Sequence, residues 1–162
     1  TLADRFIDED GRQFVLAWAD QAGKGENVTL TQQDVRQLQL AKGAILAGIM
    51  MLMSVNGVTN DDLSELLLSG AFGNYINKES AVHMRLLPDL PLEKITYVGN
   101  AAALGAQMAL LSETERSRAA DLAKRIRHVS LGMHPEFQGI FVDAMSFTEE
   151  QGARVRAAVG NL

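Results

Sequence analysis

Leu63-Ser64-Glu65-Leu66-Leu67-Leu68-Ser69-Gly70-Ala71-Phe72-Gly73-Asn74 is a leucine-dense run that stops at a pair of glycines. Period alone leaves strand and helix both open for such a run, but its shortness and the glycines favour a buried strand ending in a tight loop. Lys94-Ile95-Thr96-Tyr97-Val98-Gly99-Asn100 repeats the arrangement with β-branched residues, and Ala101 to Leu111 behind it reads as a helix. Strand, glycine loop and helix in series, twice, predict parallel strands with helical crossovers. In an open parallel sheet, ligands bind beyond the carboxyl ends of the strands. Glycines there let a ligand approach the backbone, and helix N-termini favour negative groups. The loops Gly70–Asn74 and Gly99–Gly105 fall at such ends and form the candidate site. Neither is a Walker loop, because no Gly-Lys-Ser/Thr follows, and neither is a GxGxxG fingerprint. As bare patterns, Gly70, Gly73, Gly99 and Gly105 are more economically read as permitting tight turns and close helix–sheet packing.

Outward from these strands the chain is mostly helical. Asn77 is placed to cap a short helix running to about Leu87, closed by Pro88 and Pro91. Upstream, Thr31 and Asp34 make a capping box with Asp in place of Glu or Gln. Behind it, Val35, Leu38, Lys42, Ile45, Ile49 and Leu52 trace one helical face that only Lys42 interrupts. Leu46, Met50 and Met53 add a second stripe, so the later half is apolar nearly all round. The apolar stretch from Gly43 to Met53 is shorter than the ~20 residues of a membrane span, which makes it a buried core helix ended by Asn56-Gly57. Phe6-Ile7 and Phe14-Val15-Leu16, separated by Asp10-Gly11, read as an N-terminal β-hairpin. Gln21 to Asn27 reads as a polar loop. Thr114 to Val129 is an amphipathic helix with Ala119, Leu122, Ala123 and Ile126 inward. Pro135 starts a last helix carrying Phe137, Ile140, Phe141 and Ala144, and residues 149–162 form a weakly structured tail. The fold class is α/β and helix-rich, one domain over 1–148, with a small sheet of two parallel strands plus the hairpin.

Composition narrows the function. There is no cysteine, so no disulfide, thiolate metal site or cysteine-held iron–sulfur cluster is built from these residues. A net charge of −5 argues against a nucleic-acid surface. Nothing at the N-terminus resembles a secretory signal, and the cysteine-free composition is compatible with a cytoplasmic setting. The chain begins at Thr1, which suggests a piece of something longer. His83, His128 and His134 share no metal-ligand spacing, no Ser/His/Asp constellation is legible, and no residue is assigned as catalytic or metal-binding. Trp18 and the seven methionines read as core fillers.

The residues also carry a family resemblance. Leu30-Thr31-Gln32-Gln33-Asp34-Val35-Arg36-Gln37-Leu38-Gln39-Leu40-Ala41-Lys42, Leu68 to Ile76, Val98-Gly99-Asn100-Ala101-Ala102, Pro135-Glu136-Phe137 and Met145-Ser146-Phe147 together resemble the C-terminal end of reductive activators of corrinoid proteins. These belong to the acetate and sugar kinase/Hsp70/actin (ASKHA) superfamily. The resemblance runs from about Phe14 to Phe147. It implies a ribonuclease H-like ATPase lobe, of which this chain is the back part. It also implies a longer protein with an upstream [2Fe–2S] ferredoxin domain, which uses ATP and Mg²⁺ to drive reduction of cob(II)alamin to cob(I)alamin on a corrinoid methyl-carrier protein. Gly70, Ala71, Phe72, Gly73 and Asn74 resemble the superfamily's adenosine motif, with Ala71 where paired glycines are common. Gly99 and Asn100 frame the same crevice. The superfamily's Asp-Gly-Thr-type phosphate loops are absent, so the fragment alone is expected to be inactive. Alternatives are another kinase or activase of the superfamily, or a non-catalytic module that docks a corrinoid protein or a second copy of itself.

Overall fold

The structure, a computed structural model, describes residues 1–8, 11–70, 75–148 and 150. Two compact units divide the chain, Thr1–Lys42 and Gly43–Leu162. In the first, β1 (Phe6–Asp8) and β2 (Arg12–Ala17) pair antiparallel with Phe6 opposite Phe14. The two rings meet edge to face at 5.2 Å. Arg5 donates from Nη1 to the carbonyls of Val15 and Leu16, holding the chain start on β2. The hairpin expectation holds, but the sheet has a third member. β3 (Val28–Thr31) pairs with β2 on its other side. The four-residue β3 runs straight into a capping box, and the helix signal at Thr31 masks the short strand before it.

Helix α1 (Gln32–Asn56) opens as expected. Thr31 donates to the Asp34 carboxylate from both Oγ1 (2.6 Å) and its backbone N–H (2.8 Å), while the Asp34 N–H donates back to Thr31 Oγ1. Thr59 holds Asp62 in the same way at a turn. The threonine hydroxyl, then the backbone N–H, keeps each carboxyl below its ordinary range. A carboxyl more acidic in the fold than in the unfolded chain adds stability that is complete above the unfolded value near 3.9 and fades as pH falls through the folded one. The thermal midpoint is therefore expected to fall more steeply below about pH 4 in the wild type than in Asp34→Asn, followed by far-UV circular dichroism. Parallel curves would remove the cap from the explanation.

The buried side of α1 is not the stripe that spacing favours. Lys42, read as an interruption, is fully buried, as are Ala47 and Met51, whereas Leu38, Ile45 and Leu52 are exposed. By length and composition α1 is long and apolar enough to cross a membrane, a test that core helices of soluble proteins also pass.

In the second unit, Leu46, Ala47 and Ala144 form one core with Met50, Phe137, Ile140 and Phe141 around it. Phe137 and Phe141, one turn apart on α5 (Phe137–Ala144), stack at 6.1 Å. A second core joins Ala81, Leu87 and Ile95, packed about by Ile49, Leu66, Leu68 and Ile76. It lies against one face of a two-stranded parallel sheet, β4 (Leu66–Ser69) and β5 (Ile95–Gly99). Between the strands stands α2 (Lys78–His83), capped by Asn77, whose side chain accepts from the Ser80 N–H at 2.8 Å. It ends short of Leu87, because Arg85 turns the chain at φ 56.

After β5 come α3 (Ala101–Leu111) and α4 (Glu113–Arg125), capped by Asn100 and Ser112. The long amphipathic segment thus ends at Arg125, short of His128. Its supposed inward face is not buried, since Leu122 and Ile126 are exposed and neither helix has a buried residue. The expected tail lies outside the described residues apart from Glu150.

Candidate functional site

The two glycine-marked strand ends lie side by side. Leu66, Leu67 and Leu68 pair in register with Ile95, Thr96 and Tyr97, then the register shifts and Ser69 pairs with Gly99. That irregularity ends both strands at one level. The Gly70 N–H donates to the Gly99 carbonyl at 2.8 Å, and Ser69 Oγ donates to the same oxygen at 3.3 Å. Both chains leave this junction in the left-handed region, Gly70 at φ +86 and Gly99 at φ +64, a conformation that only glycine adopts without strain. Among the described residues, a Cβ built on either would meet no atom within 4 Å, so it is the backbone conformation that calls for glycine at both positions.

Asn100 closes the arrangement. Its Oδ1 accepts from the Ala103 N–H at 3.0 Å, capping the helix that starts at the junction. This cap had no part in the reading of Asn100 from sequence, although Asn before an alanine run is a recognised start signal. Of the expected site residues, the structure brings together Gly70, Gly99 and Asn100. Ala71, Phe72, Gly73 and Asn74 lie outside the described residues.

The strands beneath are pinned by two lysines. Lys94 Nζ donates to the Leu63 carbonyl at 2.7 Å, tying the start of β5 to the approach of β4. Lys78 Nζ donates to the Ile95 carbonyl and stands 4.8 Å from the centre of the Tyr97 ring. Tyr97 in turn donates its hydroxyl proton to the Ile76 carbonyl. Tyr97 and Lys78 thus clasp the segment following the glycine loop onto β5. Neither stands out in the sequence.

The groups implied by the family resemblance fit unequally. Glycine turns next to a capped helix start suit the approach of an adenosine to backbone. Among the described residues there is no group of three or more His, Asp or Glu side chains placed to hold a metal ion. With no cysteine, these residues do not fit a thiolate-held [2Fe–2S] cluster either. A cavity of about 570 Å³ opens elsewhere in the unit, lined by Met50, Met53, Arg85, Pro88 and Phe147 among others, and neither Gly70 nor Gly99 borders it.

The chain is similar to known proteins along most of its length. The model of a family described as the C-terminal domain of RACo, the ASKHA domain, matches residues 3–157. The "Corrinoid activation enzyme RamQ" of Eubacterium limosum is 36% identical over 138 residues, 84% of this chain. A Methanosarcina barkeri protein named "[Co(II) methylated amine-specific corrinoid protein] reductase" is 27% identical over 125 residues, 76% of the chain. A solved structure named "Reductive activator for corrinoid,iron-sulfur protein" superposes with a TM-score of 0.78 at 33% identity over 88% of the chain. In each case the chain spans 23% of the length of that protein.

Proposed function

We propose, from the premise that this chain belongs to the family of C-terminal RACo domains, the ASKHA domains, that it is the nucleotide-binding C-terminal part of a longer reductive activator. The whole protein, acting in the cytoplasm, carries a [2Fe–2S] ferredoxin domain outside these residues and binds Mg²⁺-ATP, whose phosphates are held by the half of the nucleotide site that lies outside this chain. It passes one electron from the reduced cluster to cob(II)alamin on a corrinoid methyl-carrier protein, giving cob(I)alamin, with ATP as the driving ligand. In this chain Gly70, Ala71, Phe72, Gly73 and Asn74 line the adenosine side of the crevice, and Gly99 and Asn100 face them. The observation that carries the reading is the junction of Ser69 and Gly99, where two parallel strands end level on glycines in the left-handed region. The names of the relatives support the corrinoid partner.

The test uses the full-length activator with a reductant and a corrinoid protein, following the cob(II)alamin to cob(I)alamin absorbance change. Conversion is expected only with ATP. Gly73→Val, which crowds the loop, is expected to weaken ATP binding about ten-fold or more, equivalent to at least about 1.4 kcal/mol. Conversion independent of ATP, or a Gly73→Val protein with unchanged ATP affinity, would overturn the reading.

One observation favours a second role for the same chain. Helix α3 has no buried residue although it is almost entirely apolar, with Leu104, Leu110 and Leu111 all more than half exposed. Such a surface suits docking against a corrinoid protein or a second copy of the chain. Light scattering of the chain with and without the corrinoid protein separates these from a bare monomer.

A further inference from the structure

We infer that α3 is an interior helix of the longer activator, enclosed by parts of the same polypeptide that lie outside these residues. The inference rests on the reading of this chain as one part of a longer protein, and adds to it a surface and its occupant. Sequence makes α3 apolar all round. Of its 11 residues, Ala101–Leu111, only Gln107 is polar. Leu104, Met108 and Leu111 form one stripe, and Leu110 stands about 120° away from it at 3.6 residues per turn. A helix that meets water on one side keeps a polar stripe there, whereas one that is apolar on every side belongs inside a core or a membrane. At 11 residues α3 is shorter than the ~20 of a membrane span. Yet every residue of α3 but Ala109 is exposed, Leu110 at 75% and Leu111 at 85%.

This exposure is not that of a frayed end. Asn100 caps the first turn, and the Ser112 N–H donates to the Met108 carbonyl at 3.0 Å. Arg116 reaches back from α4, its Nε donating to the Ala109 carbonyl at 2.9 Å and its Nη2 to that of Leu110 at 3.4 Å. The helix is held at both ends, and what it lacks is a cover. Its shape selects among the occupants that such a surface suits. A protein that docks and leaves meets a patch with a polar rim, and a second copy related by a twofold axis lies against one face. Either would leave the opposite face of α3 in water. Enclosure on several sides needs chain folded around the helix. The chain spans 23% of each of the three relatives, so most of such a protein remains to supply it. Because α3 starts directly behind the Gly99 turn, its cover lies within one helix length, about 16 Å, of the Ser69–Gly99 junction.

The experiment is made on the full-length activator with part of its leucine replaced by photo-leucine, a diazirine analogue of nearly the same shape. It is irradiated without ATP or corrinoid protein, the products are separated by mass on a denaturing gel, and the partners of Leu104 and Leu110 are read by mass spectrometry. Both leucines are expected to link, in the band of single-chain mass, to residues of the activator outside this chain. Links found only in the band of double mass would give the cover to a second copy and overturn the inference. Links only to residues 1–162, from one of the two leucines alone, or from neither, would overturn it as well. Since no nucleotide is present, the two readings fail separately: an activator that gives the expected links but converts cob(II)alamin without ATP keeps the enclosed helix and loses the nucleotide site.

Discussion

Gly43→Val is expected to destabilise the second unit by about 2–3 kcal/mol, the upper range for forcing an extra side chain into a packed site. Gly43 lies within α1, where Gly is ordinarily about 1 kcal/mol worse than Ala, so any side chain there should help. Packing reverses that sign. A Cβ on Gly43 would stand 3.0 Å from Met145 Cγ and 3.2 Å from both the nitrogen and the Cα of Met145. The flexible Cγ can swing away, but the backbone cannot, because the Met145 N–H is bonded to the Phe141 carbonyl at the end of α5. Gly48, five residues along the same helix, is the control. Among the described residues its Cβ would meet only Leu131 Cδ1, at an ordinary 3.6 Å. Gly48→Ala is thus expected to stabilise by up to about 1 kcal/mol. Urea midpoints of the two variants should move in opposite directions. A shift of the same sign in both would mean that Met145 is not what excludes a side chain at Gly43.

Removing the Arg85 guanidinium is expected to cost about 3 kcal/mol, the range for breaking a buried pair from one side. Its Nη2 faces Asp143 Oδ2 at 3.3 Å, with the two side chains only 15% and 4% exposed. Its Nη1 also donates to the Thr148 carbonyl at 3.0 Å, and at 3.4 Å to that of Asp143. One side chain thus ties the turn after α2 to the end of α5. Arg85 does this from a left-handed backbone, φ 56, which strains any residue with a Cβ by roughly 1–2 kcal/mol. Two variants separate the contributions. Arg85→Ala loses the guanidinium and keeps the strain, whereas Arg85→Gly loses the guanidinium and relieves it. Thermal unfolding is expected to rank wild type above Arg85→Gly, and Arg85→Gly above Arg85→Ala. Arg85→Ala matching or exceeding the wild type would show that the guanidinium contributes nothing net.

The parallel pair and its glycine ends were legible because the local signals agreed. Apolar or β-branched runs stopped at Gly70 and Gly99, and an alanine-rich helix followed. Capping was legible at Thr31 and Asn77, each just before a periodic segment, and was missed at Asn100, whose helix was read from its alanines alone. What stayed hidden depended on contacts between residues distant in sequence. Lys42 reads as a break in an apolar face and is fully buried, because burial is decided by what surrounds a helix and not by its own period. Leu122 and Ile126 read as inward on period and face water. Tyr97 and Lys78, which clasp the segment after the loop, are ordinary strand and helix residues until the fold brings them to Ile76 and Ile95. The glycines of the candidate site were visible in the sequence; what secures the chain beside them was not.

The meeting of Ser69 with Gly99 also bears on how the molecule assembles. Helices such as α1 and α3 form from neighbours and need no distant partner, so they can appear within microseconds. The two parallel strands cannot. The chain between them must turn back on itself, with α2 in place, before Leu66 finds Ile95, and that loop entropy is spent before any pairing repays it. The crevice is therefore expected to take shape after the helices that flank its strands, once the chain between Leu66 and Ile95 has closed.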